Sequence, residues 1–432
     1  LLAHETEFRH AMDHPNPLRR PPTSDELYPD GPPDVQVGGV VQSDGVRFGV
    51  RCKDRPRNVL IAGNAGAGKT TLISNLIEGI HRNNEADPEH FTSLIICDKK
   101  GDYRSLLEQR GIPCLRLNVH DPGTKISMAA PEGVAPKAWF NVVASTFCAL
   151  AGLIAAWTCL SSMMGWVFNA LNSAGGSILR WPSLKLLLQL AKSLPLTTWA
   201  VKPDYERSLI NQLEAIVQST EVFDCFGGLD IERDVIRPRR HLLLEMHNMA
   251  PAWVRQFLLS VLYLQTMTGR IGRHQKIQGT AAYFIGDEFD QDATAEVDDK
   301  FPDKMAPLSV MLRMGREYGI GAITGLGRLQ EASRYVLSEA QYHFIFTQTD
   351  AWSMRMASST LGLTRAADPL FPALKPGICV ARVAQAGWEH PMLVKIDERP
   401  RPAAPQSWDC DTHPIIQARD LNDLPELRER IA

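Results

Sequence analysis

One octapeptide restricts this chain more than any bulk property. Gly63-Asn64-Ala65-Gly66-Ala67-Gly68-Lys69-Thr70 satisfies G-x-x-x-x-G-K-[ST] at every fixed position. The apolar run Asn58-Val59-Leu60-Ile61-Ala62 before it reads as a buried strand, and Thr71-Leu72-Ile73-Ser74-Asn75-Leu76-Ile77 after it opens an amphipathic helix. Small residues at 65–68 let backbone N–H groups turn inward around phosphate oxygens at a helix N-terminus, where the partial positive charge favours anions. In that setting Lys69 reaches the β- and γ-phosphates of a nucleoside triphosphate such as ATP, the Thr70 hydroxyl ligates Mg²⁺, and residues 63–71 through Thr71 form the cradle.

A second stretch supplies what such a loop lacks. Ala281-Ala282-Tyr283-Phe284-Ile285-Gly286-Asp287-Glu288 reads as an apolar strand ending in two acids. Taken alone that pattern is a common solvated strand end. Downstream of a complete phosphate loop it acquires a role: Asp287 as a Mg²⁺ holder, Glu288 as the base that polarises an attacking water.

Between and after these motifs the chain alternates strand and helix patterns, which predicts an α/β fold with a mostly parallel sheet. Val35 to Val50, turning at Ser43-Asp44-Gly45, reads as a hairpin, and Ser93-Leu94-Ile95-Ile96-Cys97-Asp98 as a buried strand. The Lys99-Lys100-Gly101-Asp102-Tyr103 block behind it would face the crevice at the strand's C-terminal edge. Further strands are read at 113–117, 241–246, 319–324 and 343–348, and helices at 103–110, 253–268 and 308–318. The last helix carries Arg313 and Arg316. The span 138–240 is mostly helical in pattern and carries no phosphate or metal motif, so it reads as an inserted all-helical domain. Residues 1–35 read as a proline-rich arm or linker, 36–137 and 241–397 as the nucleotide-binding domain, and 398–432 as a tail.

Composition narrows the class only a little. With 432 residues, 44% hydrophobic and 22% charged, the chain is an ordinary globular protein of more than one domain. A formal charge of −3 excludes a strongly basic nucleic-acid coat but says nothing of a local basic channel. The 8 cysteines include no C-x-x-C pair, which argues against a zinc site or disulfide framework and for a reducing cytoplasm. Val142 to Phe168 is long and apolar enough for a membrane span, but Ser145, Thr146, Thr158, Ser161, Ser162 and Gly165 favour buried helices instead.

In this order, the motifs resemble the HerA/FtsK superfamily of ring-forming P-loop ATPases, most closely the conjugative coupling proteins. Asp98-Lys99-Lys100-Gly101-Asp102-Tyr103 is similar to that family's D-P-K-G-E-[FY], Trp139-Phe140-Asn141 is a loose echo of its W-N-P, and Gly315-Arg316-Glu317-Tyr318-Gly319 is similar to its G-R-[KE]-x-G. The resemblance spans residues 36–397 in order of elements. It implies a RecA-like domain with an all-helical insertion, assembled as a hexamer around DNA with ATP and Mg²⁺ between subunits. It further implies a cytoplasmic site at the inner membrane, with secretion-channel or relaxosome proteins as partners and membrane contact through segments outside this chain. Arg316 matches the arginine that the adjacent subunit lends to the γ-phosphate, with Arg313 as the alternative. The pattern departs at Gly327, which stands where the family places a phosphate-sensing glutamine. Arg328 or Gln330 takes that role, or hydrolysis is weakly coupled. Lys99 and Val142 replace the two motif prolines.

Overall fold

The computed structural model describes residues 21–398, apart from 42, 44, 53–54, 122–123, 154–183, 194–202, 224–227, 250, 275, 278, 290–291, 385–387 and 389, together with 410–412. Twelve strands make one sheet. They are β1 (Val35–Val40), β2 (Arg47–Val50), β3 (Val59–Ala62), β4 (Ser93–Asp98), β5 (Cys114–Asn118) and β6 (Leu242–Glu245). The chain continues through β7 (Ala282–Gly286), β8 (Ile320–Leu326), β9 (Tyr342–Ile345), β10 (Ile378–Val383), β11 (Met392–Ile396) and β12 (Cys410–Thr412). Their order across the sheet is β12-β5-β6-β4-β7-β8-β3-β9-β10-β11-β1-β2. Every pairing from β12 to β9 is parallel, and those from β9 to β2 are antiparallel.

The central strands β3, β4 and β7 are buried at every position because helices cover both faces, as parallel sheets require. The two-residue period still sorts them. Leu60, Ala62, Ile95, Cys97 and Phe284 enter one core, while Val59, Ile61, Leu94, Ile96, Tyr283 and Ile285 enter the other. Into the second core α1 (Lys69–Ala86) sends Leu72, Ile73, Leu76, Ile77 and Ile80, and α2 (Asp102–Arg110) sends Tyr103 and Leu107.

Among the described residues the stretch between β5 and β6 contains α3 (Pro136–Leu150), α4 (Leu184–Ser193), α5 (Pro203–Ser219) and a π-helical turn at Ile231–Ile236. Its apolar residues join the first core through α6 (Ala252–Gly272): Phe147 meets Trp253 and Phe257 edge-on at 5.7 and 5.5 Å. The long apolar run read as a candidate span is therefore buried helix as far as Leu150, and its remainder from 154 lies outside the described residues. Among the described residues no helix is long and apolar enough to cross a membrane.

Element boundaries move where packing overrides local pattern. Helix α6 runs past Gly269 to Gly272, and α7 (Pro307–Met314) stops short of the expected Tyr318, giving way to a 3₁₀ turn over Gly315–Tyr318. At the amino-terminal side the proline-rich stretch is not wholly a free arm. A short helix at Ser24–Leu27 is closed by a capping box between Thr23 and Glu26, and Leu27 and Tyr28 are buried. Tyr28 accepts from Gly49 N at 2.7 Å and so docks this segment on β2. Within the span read as a tail, β12 extends the parallel sheet beside β5.

Candidate nucleotide site

The octapeptide leaves β3 and enters α1 at Lys69, so the strand-turn-helix expected from sequence is present. Its entry is pinned by both neighbouring strands: Gly63 N donates to Leu326 O at 3.0 Å, and Asn64 N to Thr347 O at 3.0 Å. The Asn64 amide adds a bond to Thr349 Oγ1 at 2.9 Å. Gly63 has no room for a side chain, since a Cβ there would lie 2.6 Å from Cβ of the buried Phe346. Lys69 Nζ folds back onto the loop, donating to Gly63 O at 2.6 Å and Asn64 O at 3.1 Å. That posture holds the ammonium over the cradle formed by Ala65, Gly66, Ala67 and Gly68, with Thr70 and Thr71 exposed beside it.

The two acids of β7 reach the same place, two strands away. Thr70 Oγ1 donates to Asp287 Oδ2 at 2.8 Å. The other oxygen of Asp287, Oδ1, is buried and has no hydrogen-bond partner. A buried carboxylate oxygen left unpaired is costly, and it marks a position built for a cation. The space beside it is kept by Gly325, where a Cβ would sit 2.7 Å from Asp287 Oδ1. A hydroxyl and a carboxylate with one open oxygen are the hard donors that Mg²⁺ takes, so these residues fit that ion.

The Asp98 block acts on the acids rather than on phosphate. Asp98 is buried, and its carboxylate accepts from the N–H groups of Lys100, Gly101 and Tyr103 at 3.1, 2.8 and 3.0 Å, which fixes the turn. From that turn Lys99 Nζ donates to Glu288 O at 2.7 Å and pairs with the buried Asp292. The Tyr103 hydroxyl reaches Asp287 Oδ2 at 3.4 Å, and burial together with the Asp287 charge holds its pKa well above that of a free phenol, so it stays a donor. Lys100 Nζ pairs directly with Glu288 Oε1, and that hydrogen bond raises the lysine's pKa. Glu288 itself has φ +62°, a left-handed conformation that is rare for a residue with a Cβ and is held here by the two lysines.

Arg316 is not near this cluster within one chain. It precedes β8, whose far end, Leu326, pairs with Ala62 at the start of the loop. Seven strand residues separate the two ends, about 20 Å at the rise of an extended chain. Arg313, one turn earlier, is exposed and Arg316 half-buried on that same opposite edge. Gly327, Arg328 and Gln330 do lie at the loop. They line a cavity of about 810 Å³ with Asn64, Ala65, Thr349, Trp352 and Arg355.

The residues after β9 carry no recognisable motif. Thr347 and Thr349 grip Asn64, and Asp350 caps α8 (Ala351–Leu361) by accepting from Ser353 N at 2.7 Å. What could have flagged them is the rule that crevices form at the carboxyl ends of parallel strands, applied to the strand read at 343–348. Among the described residues no cluster of three histidines, cysteines or acids is arranged to hold a transition metal. Cysteines 52, 97, 114, 148 and 379 are buried free thiols.

No family model matches the sequence, and no curated protein does. Solved structures do match the fold. The chain superimposes on VirB4 of Thermoanaerobacter pseudethanolicus with a TM-score of 0.63 at 16% identity, covering 86% of this chain and 98% of that one. It matches the bacterial conjugative coupling protein TrwB lacking its N-terminal 70 residues with a TM-score of 0.60 at 13% identity, covering 89% and 94%. A structure of TrwB holding the non-hydrolysable GTP analogue GDPNP gives 0.57 at 14% identity, covering 82% and 88%. At such identities the match speaks for architecture. The chain therefore shares the fold of VirB4 and TrwB.

Proposed function

We propose that this chain is an ATP-hydrolysing motor subunit that moves DNA, or a DNA-bound protein, through a hexameric ring. The observation that carries the reading is the Thr70 to Asp287 hydrogen bond, with an open carboxylate oxygen behind it. It joins two motifs more than 200 residues apart into one phosphate and cation site.

Lys69 leaves the carbonyls of Gly63 and Asn64 and turns to the β- and γ-phosphates, while the loop amides orient the triphosphate. Thr70 and Asp287 would hold Mg²⁺, which when bound would neutralise charge on the phosphate oxygens. Glu288 accepts a proton from the water that attacks the γ-phosphorus in line with the departing ADP oxygen. Because Arg316 stands on the opposite edge of its own subunit, its partner is the nucleotide of a neighbour, where it stabilises charge on the γ-phosphate. Each site is thereby completed by the next subunit. DNA contact falls to loops facing the channel, with an affinity that drops as salt rises. A cytoplasmic location beside a membrane-borne secretion channel suits the likeness to a conjugative coupling protein.

ATPase rate measured with and without single- and double-stranded DNA tests the proposal. Lys69→Ala should abolish nucleotide binding, and Glu288→Gln should retain ATP without turnover. Turnover by Glu288→Gln at the parent rate would refute the assignment of the base. A second reading, a nucleotide-dependent adaptor with little motor activity, is favoured by one observation: Lys100 already occupies the Glu288 carboxylate. A basal rate insensitive to DNA would select it.

A further inference from the structure

Among the described residues Gln348 is an anomalous buried polar side chain. It is fully buried, and neither its amide nitrogen nor its amide oxygen has a hydrogen-bond partner. Five residues on, the buried Ser353 Oγ is unpaired as well. Buried amides are almost always paired, and one with both atoms open destabilises the state that contains it.

Its position gives that cost a purpose. Strand β9 pairs with β3 in parallel, Ala62 opposite Ile345. The ladder ends there, and Asn64 N bonds the carbonyl of Thr347, so Gln348 directly follows the residue that holds the entry of the phosphate loop. The flanking residues bind the loop from either side, Thr347 through its carbonyl to Asn64 N and Thr349 through its hydroxyl to the Asn64 amide. Phe346, two residues back and so on the same face by the period of an extended chain, packs against Gly63. Thr349 and Asp350, which follow Gln348 in the chain, line the cavity beside Asn64 and Ala65.

We propose that Gln348 is a ligand-reading residue of the nucleotide site, its amide unpaired without nucleotide and paired with the terminal phosphate or its attacking water when a triphosphate occupies the loop. A primary amide suits both partners, since it donates to a phosphate oxygen and accepts from water. The gain on pairing is available to a triphosphate and not to a diphosphate. It reports the difference through Thr347 and Thr349 to β9, and through Asp350 to α8. The inference rests on the nucleotide reading above.

The test uses the full chain and the near-isosteric, apolar Gln348→Met. Thermal unfolding is followed without nucleotide, with ADP and with a non-hydrolysable ATP analogue, and steady-state hydrolysis is measured alongside. Removing an unpaired amide should raise the melting temperature of the nucleotide-free protein by about 2 °C or more. ADP should stabilise parent and variant alike, whereas the extra stabilisation by the ATP analogue should vanish in the variant. The kcat should fall about 100-fold with KM little changed, the size expected for losing one donor to a transition state. Gln348→Glu, which keeps the shape and the acceptor but loses the donor, should not restore discrimination. A variant that separates ADP from the ATP analogue as the parent does, or melts several degrees lower without nucleotide, overturns the inference while leaving the site itself intact. A parent that responds to neither nucleotide overturns both readings.

Discussion

The helix that carries Lys69 and Thr70 is anchored by a histidine that burial keeps uncharged, and that makes the nucleotide domain sensitive to acid. His241 is fully buried between β4, β6 and α1. Its Nδ1 accepts from Leu94 N at 3.1 Å, so its proton sits on Nε2 and is shared with His81 Nδ1 of α1 at 3.2 Å. Phe91 stacks on the ring at 5.1 Å. Burial, with the neighbouring His81 adding to it, pushes the His241 pKa down to about 3. In the unfolded chain it titrates near 6.5. The folded value is the lower one, so the unfolded state binds the proton first, and stability is complete above about pH 6.5 and declines as pH falls toward 3. At pH 5 the linkage amounts to about 2 kcal/mol from this residue alone. His343, which burial lowers to about 4, contributes about as much again with the same sign. We therefore expect the urea midpoint of the parent to fall steeply between pH 6.5 and 5. His241→Gln, which keeps an acceptor for Leu94 N, should lose about half of that dependence. The same slope in parent and variant would refute the buried neutral imidazole and the linkage built on it.

Three further outcomes follow from the geometry of the site. Gly63→Ala should weaken ADP binding at least tenfold, because its Cβ would stand 2.6 Å from that of Phe346, and Phe346→Gly in the same chain, which removes that Cβ, should recover part of the loss in a fluorescent-nucleotide titration. Arg316→Ala and Lys69→Ala subunits should each be inactive alone and regain ATPase activity when mixed, whereas an arginine acting on its own subunit's nucleotide would give no recovery. Lys100→Met should free the Glu288 carboxylate and raise basal hydrolysis several-fold while reducing stimulation by DNA, and a fall in basal rate would instead make Lys100 part of the active arrangement.

The motifs were legible because each is local. The loop at 63–70 needs a strand before it and a helix after it, and both are written in adjacent residues as an unbroken apolar run and a helical period. The acids at 287–288 announce themselves the same way, as the end of an apolar strand. Those features also carried the resemblance to ring ATPases and the expectation of a parallel α/β architecture, and the superposition on TrwB and VirB4 bears out the architecture.

What sequence alone left open is whatever depends on strand order. That Asp287 meets Thr70, that Lys100 closes on Glu288, and that Arg316 lies at the opposite end of β8 from the loop follow from β4, β7, β8 and β3 lying side by side in parallel. Gln348 is the clearest case. In the sequence it is a polar residue at the end of a strand, where solvent is the default expectation. Only the packing of β9 against the loop buries it and strips its amide of partners. Local periodicity determined which segments are strands and helices. Long-range pairing, set by how those segments share two cores, decided which side chains face one another.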